Sequence, residues 1–370
     1  MIPARAWLEV DLDAIVANYR DLRAVYGGPV HAVLKRDAYG LGLRGIAPVL
    51  AGAGCREFFV EDLPEAHRLL AALKAHPCPP PQVHVLAGLG GRPPRAFAVK
   101  GVRPVLGSRA DVARATAVPG MAVTLQFDTG LARPGLTPDD LAALGPALAR
   151  LDVVHVMSHL AVMGDPDAVS NHDQRRRFLA MAAAFPQAGQ SLPSSAFVFA
   201  GPGWRIGAAR AGSAVLGTRH VANPAYRTRP AVRMLAPVID IRDHPAGRRI
   251  GYGRHTLPRP SRLGTLMLGY ADGLPDAFWS RAPAVEVAGR RCPILPEVSM
   301  MQCFVDLTGL PDSALPRARV AVVFGGGQDI NAFAGRLHTQ PNRIITGTGA
   351  SVPRRHVTGA RETGARETGA

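Results

Sequence analysis

The sequence predicts an α/β protein: a (β/α)8 barrel followed by a C-terminal, mostly antiparallel β domain. Strand-like and helix-like patterns alternate up to about residue 215, which is the signature of a parallel sheet with crossover helices. After the irregular stretch "AVLGTRHVANPAYRTRP", which ends at Pro230, strands dominate and are separated by Pro/Gly turns. The expected division is a barrel over 1–225, a β domain over 226–357 and a disordered tail over 358–370. That tail, "TGARETGARETGA", has no apolar residue larger than alanine and cannot build a core.

"AWLEVDL" (6–12) alternates as a strand does, and the helix after it places Leu12, Ile15, Val16, Tyr19 and Leu22 on one face. Asp11 is its expected N-cap and Gly27 its stop. "VHAVLK" (30–35) reads as a buried strand, "GLRGIAPVLAGAG" as a helix, "REFFVED" as a strand and "LPEAHRLLAALKAH" as a helix. Further strands are expected at "PQVHVLAGL", "GVRPVLGS", "AVTLQFDTG", "DVVHVMSHLA" and "SAFVFAG". "TPDDLAALGPALARL" and "SNHDQRRRFLAMAAAF" supply helices between them. Eight such units close a barrel whose active site lies at the C-terminal strand ends, where Lys35, Asp128, His159 and Gly201 would fall. Beyond Val232 the strands are "VRMLAPVIDIRDH", "SRLGTLMLGYAD", "AVEVAG", "CFVDLTG" and "RVAVVFGG".

The composition, 47% hydrophobic and 6% aromatic, is that of a globular protein. No apolar run reaches membrane-spanning length. Glu9, Asp11 and Asp13 interrupt the region where a signal peptide needs an apolar segment, so a cytoplasmic protein without a membrane partner is expected. The net charge of +15 suits a polyanion, but the arginines are scattered and no helix-turn-helix or RNA-binding motif is present. A dedicated nucleic-acid site is therefore not expected. Cys55, Cys78, Cys292 and Cys303 show no zinc-ligand spacing and read as buried thiols, with no metal.

The chemistry turns on lysine. The chain has three, Lys35, Lys74 and Lys100, against forty arginines. A position that keeps lysine in such a background can use an amine that loses its proton and acts as a nucleophile. A Schiff-base lysine at a barrel strand end suits pyridoxal phosphate, which also needs a phosphate pocket and a partner for its ring nitrogen. Tyr39 is close enough in sequence to reach a phosphate, and "RAGSAVLG" (210–217) offers Gly212 and Ser213 near a helix start. Arg210 stands two residues upstream, where its charge can face the ring.

Together these segments resemble the alanine racemase family over about residues 5 to 356. "AVLKRDAYGLG" is similar to the family's cofactor-lysine motif, "FDTGLARPG" to its D-T-G-M-x-R-x-G, "MSHLA" to its T-H-x-A and "ARAGSAVLG" to its V-R-x-G-I-x-x-Y-G. "GYGRHT", "LGYADGLP" and "VSMMQCFVDLTG" follow in the family's order. The resemblance implies a pyridoxal-phosphate enzyme, an amino-acid racemase with alanine as the first substrate to consider, working as a homodimer with shared active sites. Lys35 would hold the cofactor and act as one base, and Tyr252 of the other subunit would be the second, on the opposite substrate face. Arg210 would bond the pyridine nitrogen, His159 would orient Arg210, and Arg133 would approach the cofactor's phenolic oxygen and the substrate carboxylate. Tyr39, Gly212 and Ser213 would take the phosphate; Tyr270 and the backbone N–H of Met300 would line the substrate side from the partner chain.

The pattern is broken in places. Gln126 stands where many members have a lysine, Met301 replaces an Asp, and Pro296-Glu297 a Gly-Arg; Gly201-Pro202 stand where the family usually has Asn-Ser near the phosphate, so at least one side-chain hydroxyl contact is missing. Ala350 occupies the place of the family's final tyrosine, which leaves room for a racemase or epimerase of a bulkier amino acid. A decarboxylase or aldol enzyme on the same scaffold, or a protein that only carries pyridoxal phosphate, are the other readings; Arg210 opposes the decarboxylase, the poor ligand pair His255 and Asp272 opposes a metal-assisted aldol enzyme, and Tyr252 opposes the last.

Overall fold

The computed structural model describes residues 2–74, 79–219, 221, 225–253, 255–281, 283–296 and 298–359. Cys78, Arg254, Glu297 and the tail beyond 359 lie outside the described residues. Strand β1 (Trp7–Asp11) is followed by eight parallel strands: β2 (Val30–Val33), β3 (Glu57–Val60), β4 (Gln82–Val85), β5 (Val102–Leu106), β6 (Ala122–Gln126), β7 (Asp152–Met157), β8 (Gly189–Ser191) and β9 (Ala209–Ala211). They pair in chain order from β2 to β8, and β9 returns beside β2. A bridge between Ser194 and Arg210 joins the two ends, so the parallel sheet is a barrel.

The second sheet is built from β10 (Val232–His244), β13 (Ser261–Leu266), β14 (Ala284–Val287), β15 (Arg290–Pro293), β16 (Cys303–Asp306), β17 (Val320–Phe324) and β18 (Arg354–Val357). The short pair β11 (Arg249–Ile250) and β12 (His255–Thr256) projects from it as a hairpin. β1 belongs to this sheet although it opens the chain: it runs antiparallel to β10 and parallel to β18. Its burial along nearly the whole length reflects that central place.

Local chemistry explains the first helix, Leu12–Tyr26. Asp11 accepts a hydrogen bond from Ala14 N at 2.9 Å, and Gly27 ends the helix in the left-handed conformation at φ 67°. Leu12, Ile15, Tyr19 and Leu22 are buried, while Val16 lies at the edge of that face. Two expectations fail. "SAFVFAG" is not a strand; Phe197–Phe199 form a 3-10 turn, and the strand that precedes it is β8. The run is apolar because Phe197 packs edge-on to Trp204 at 4.8 Å, and a short apolar run does not reveal whether it is extended or coiled. Gly201 therefore lies in an exposed loop, not at a strand end. The C-terminal unit also carries helices at Ile330–Arg336 and Pro341–Ser351, which the strand-rich reading did not anticipate.

Alternation along the barrel strands sorts its interior into layers. Val33, Phe59, Leu86, Val105 and Met157 form an apolar layer toward the C-terminal ends. Two residues earlier on the same strands come His31, Glu57, His84, Arg103 and His155, a polar layer beneath it. His84 stacks on Phe59 at 4.2 Å and lies 2.7 Å from Thr124 Oγ1 and 2.8 Å from Glu57 Oε2. Burial pushes the His31 imidazole down to about 4 and that of His155 down to about 2, and lowers His84 well below its ordinary range. All three are neutral in the folded protein at neutral pH.

Groups lowered by folding add stability that is complete above their unfolded value of 6.5 and is lost as the pH falls toward 4. Urea midpoints should decline across that window, and His155→Leu, which removes one titrating imidazole, should make the decline shallower than in the wild type.

Candidate active site

Two residues beyond the apolar layer, the same alternation brings Lys35, Glu61, Gly88 and Gly107 to the rim of a cavity of about 820 Å³. Its walls also carry Tyr39, Arg133, His159, Arg210, Gly212 and Ser213. The barrel thus collects every cofactor-binding candidate named from the sequence into one cavity. Lys35 Nζ lies 3.6 Å from Glu61 Oε2, and both side chains are 38% exposed.

The strand ends at Val33, earlier than expected, and the chain then turns the unusual way. Arg36, Asp37, Ala38 and Tyr39 all have φ between 54° and 56°, a full turn of left-handed helix. Each L-residue in that conformation costs roughly 1–2 kcal/mol, so the turn must be held from outside. Buried Glu65 does so by accepting from Arg36 N at 3.1 Å, Asp37 N at 2.8 Å and Glu61 N at 2.9 Å. Arg354 donates to Asp37 Oδ2 at 2.6 Å and to Gly40 O at 2.8 Å, while Asp37 Oδ1 accepts from Leu43 N. Gly40 closes the turn at φ 84°, with a Cβ there only 3.0 Å from Ile345 O.

At the opposite wall, Ser195 Oγ accepts from Gly212 N at 3.1 Å and Ala214 N at 3.3 Å. A Cβ at Gly212 would meet Tyr39 OH at 2.6 Å, so glycine lets that phenol close on the loop. Burial, followed by the charge of Glu61, pushes the Tyr39 phenol up to about 12. Buried Arg210 donates to Ser191 O at 2.5 Å, Ser191 Oγ at 2.6 Å and Ser158 O at 2.5 Å. Burial lowers its guanidinium to about 10, still charged at neutral pH. Ser158 continues the network to Thr129 Oγ1 at 2.8 Å, and Gln174 donates to both Thr129 Oγ1 and His159 O. Asp128 Oδ1 accepts from Gly130 N, Leu131 N and Ala132 N, shaping the loop that presents Arg133.

Tyr252, Tyr270 and Met300 do not join this cavity. They lie on the C-terminal unit, 72%, 54% and 56% exposed. Backbone bonds from Tyr270 N to Ser299 O and from Ala271 N to Met300 O hold Tyr270 and Met300 side by side.

Residues 10–220 match the family model for the alanine racemase N-terminal domain, and 231–356 match that for its C-terminal domain. The chain is 39% identical to the alanine racemase of Acidiphilium cryptum over 350 residues, covering 92% of this chain and 96% of that one. It is 39% identical to that of a Methylobacterium species over 367 residues, covering 96% and 98%. The chain belongs to the alanine racemase family. It is an isomerase of the racemase type. Among solved structures, the Bartonella henselae alanine racemase with covalently bound pyridoxal phosphate superposes with a TM-score of 0.84 at 30% identity, covering 96% of this chain and 100% of that one. The alanine racemase of a D-cycloserine-producing Streptomyces lavendulae does so at 0.83 and 28%, covering 99% and 100%.

Racemases of this family depend on pyridoxal phosphate, and the residues of this chain fit it. Lys35 offers the amine, and Tyr39, Ser195, Gly212 and Ser213 form a cradle that admits no side chain at position 212. Arg210 is a fixed cation on the same wall. One matched departure is corrected: Ser194 and Ser195 line the cavity, whereas Gly201 and Pro202 are exposed and do not, so the hydroxyl thought missing is present. The misplacement followed from taking "SAFVFAG" as the strand. Ala350 is exposed on the helix Pro341–Ser351 and is not among the residues lining the cavity. Gln126 does line it.

Glu61, Glu65 and Ser195 escaped the sequence reading. Glu65 had a signal, since Asp62 caps its helix and Glu65 stands three residues on, the spacing of a capping box. Replacing Glu65 with Ala leaves three amides without their acceptor and should cost on the order of 3 kcal/mol in urea unfolding. Glu65→Gln, which keeps one carbonyl oxygen, should cost less.

Proposed function

We propose that this racemase interconverts L- and D-alanine with two bases, Lys35 of one protomer and Tyr252 of a second copy of the chain. The observation that carries the reading is the placement of the Lys35 amine in one cavity with a buried arginine and a glycine cradle. The exposure of Tyr252, Tyr270 and Met300 on the other unit supports the second half, because a partner barrel would cover them. Inverting a carbon requires its proton to leave from one face and return to the other, so a single base is not enough.

Pyridoxal phosphate, bound through Lys35, supplies a sink for the electron pair left when the α proton departs. Lys35 Nζ takes or returns that proton on one face and the Tyr252 phenol does so on the other. Arg210 donates hydrogen bonds but surrenders no proton at neutral pH, which keeps the sink weak and disfavours side reactions. Arg133, Tyr270 and the Met300 backbone N–H hold the substrate, and His159, which shares the cavity with Arg210, helps to orient that guanidinium. No helix among the described residues is long and apolar enough to cross a membrane, and a cytoplasmic site of action is part of this reading.

Incubation with single amino acids in heavy water, followed by chiral analysis, should show deuterium at Cα together with loss of enantiomeric excess for alanine. Carbon dioxide or aldehyde release in its place sinks the proposal. Lys35→Ala and Tyr252→Phe should each lower racemisation on the order of 10³-fold. Mixed and allowed to exchange subunits, the two variants should recover about one quarter of wild-type activity, because half of the dimers then hold one intact site of two. No recovery on mixing, with subunit exchange verified by mass, rules out a shared site.

A further inference from the structure

Glu61 is the charged group that the barrel itself delivers to Lys35. In the parallel ladder of β2 and β3, Ala32 pairs with Phe58 and Val33 with Phe59. Two residues beyond these pairs, past the ends of both strands, Lys35 and Glu61 both reach the cavity. The backbone of Glu61 is fixed on both sides: its N–H donates to Glu65 Oε2 at 2.9 Å and its carbonyl accepts from Ala87 N at 2.9 Å. Its carboxylate stands 3.6 Å from Lys35 Nζ.

Two other charged groups of the cavity are engaged elsewhere. Asp111 pairs with Arg114 in its own helix at 3.3 Å, and Arg210 is bound to Ser158 and Ser191. Arg133 rides on the loop shaped by Asp128, and Tyr39 faces the Gly212 loop. Glu61 is thus placed to meet a charge that appears on the lysine amine.

We propose that Glu61 is a positioning residue for Lys35, its carboxylate pairing with the ammonium formed when that amine takes the α proton. The statement rests on the two-base reading above. In the step concerned, the Cα–H bond breaks, its proton forms the third N–H bond of Lys35 Nζ, and the electron pair stays with the substrate and its cofactor. A neutral amine becomes a cation beside a fixed anion, and a preorganised opposite charge favours that change. Tyr252 gains nothing from it, so Glu61 favours one face selectively.

The test uses the holoenzyme with wild type, Glu61→Gln and Glu61→Asp, and alanine of each hand carrying deuterium at Cα. In Glu61→Gln, turnover should fall about tenfold. The isotope effect should rise for the enantiomer whose proton goes to Lys35 and fall for its mirror image. Glu61→Asp, which keeps the charge at a longer distance, should lie between the two. A second readout needs no turnover. Cofactor-free protein is acetylated with limiting acetic anhydride at neutral pH, with Lys74 and Lys100 as internal standards. Lys35 should label faster in Glu61→Gln than in the wild type, because the amine loses its carboxylate partner 3.6 Å away.

Isotope effects that move together for both enantiomers, or unchanged labelling, overturn the assignment of Glu61 while leaving both bases in place. A wild type that exchanges no α proton with either enantiomer overturns the two-base reading and this inference with it.

Discussion

A left-handed turn of four L-residues follows Lys35, and much of the surrounding structure exists to hold it there. The turn opposes the intrinsic preference of every residue in it, so its stability comes from neighbours. Glu65 arrives from the helix that follows β3, Arg354 from the C-terminal strand, and His356 lies 2.8 Å from Leu41 O just beyond. The last strand of the second sheet thereby reaches the loop that presents the lysine. The two units share a sheet through β1 and also the duty of fixing this loop, which ties fold and site into one set of constraints.

Beneath the loop the barrel is ordered by parity. A polar layer containing three neutral histidines lies under an apolar layer, and the reactive groups stand above both. Neutrality below matters because Arg210 is buried and carries its charge within the same barrel. Phe59 lies between them, with His84 stacked on its ring and the Arg210 guanidinium 5.9 Å from its centre. Protonated imidazoles under that guanidinium would raise its electrostatic cost. The same burial that disfavours their charge removes that conflict.

The sequence was legible where a single element carries its own signature. Asp11 and Gly27 bracket the first helix as their chemistry requires, and the alternation in the strands follows from the two-residue period of a pleated chain. The motif around Lys35 named the amine and Tyr39 correctly as neighbours of one cavity. "SAFVFAG" misled because a short apolar run is buried in either conformation, and the error displaced the serines from their true place. Glu65 was unread because its carboxylate serves a different segment, across the space between two strands.

By itself, the sequence determined the kind of element most segments form, the order of the motifs, and a lysine kept in a chain that otherwise uses arginine. Those properties are local, set by side-chain period, capping groups and amine chemistry. Only the tertiary structure decided which residues meet. The pairing of β2 with β3 brought Glu61 to within 3.6 Å of Lys35, closure of the barrel brought Arg210 and Ser195 to the same cavity, and the second sheet carried Arg354 to Asp37. Such meetings depend on the pairing of strands far apart in the chain, and no property of a single segment encodes that distance.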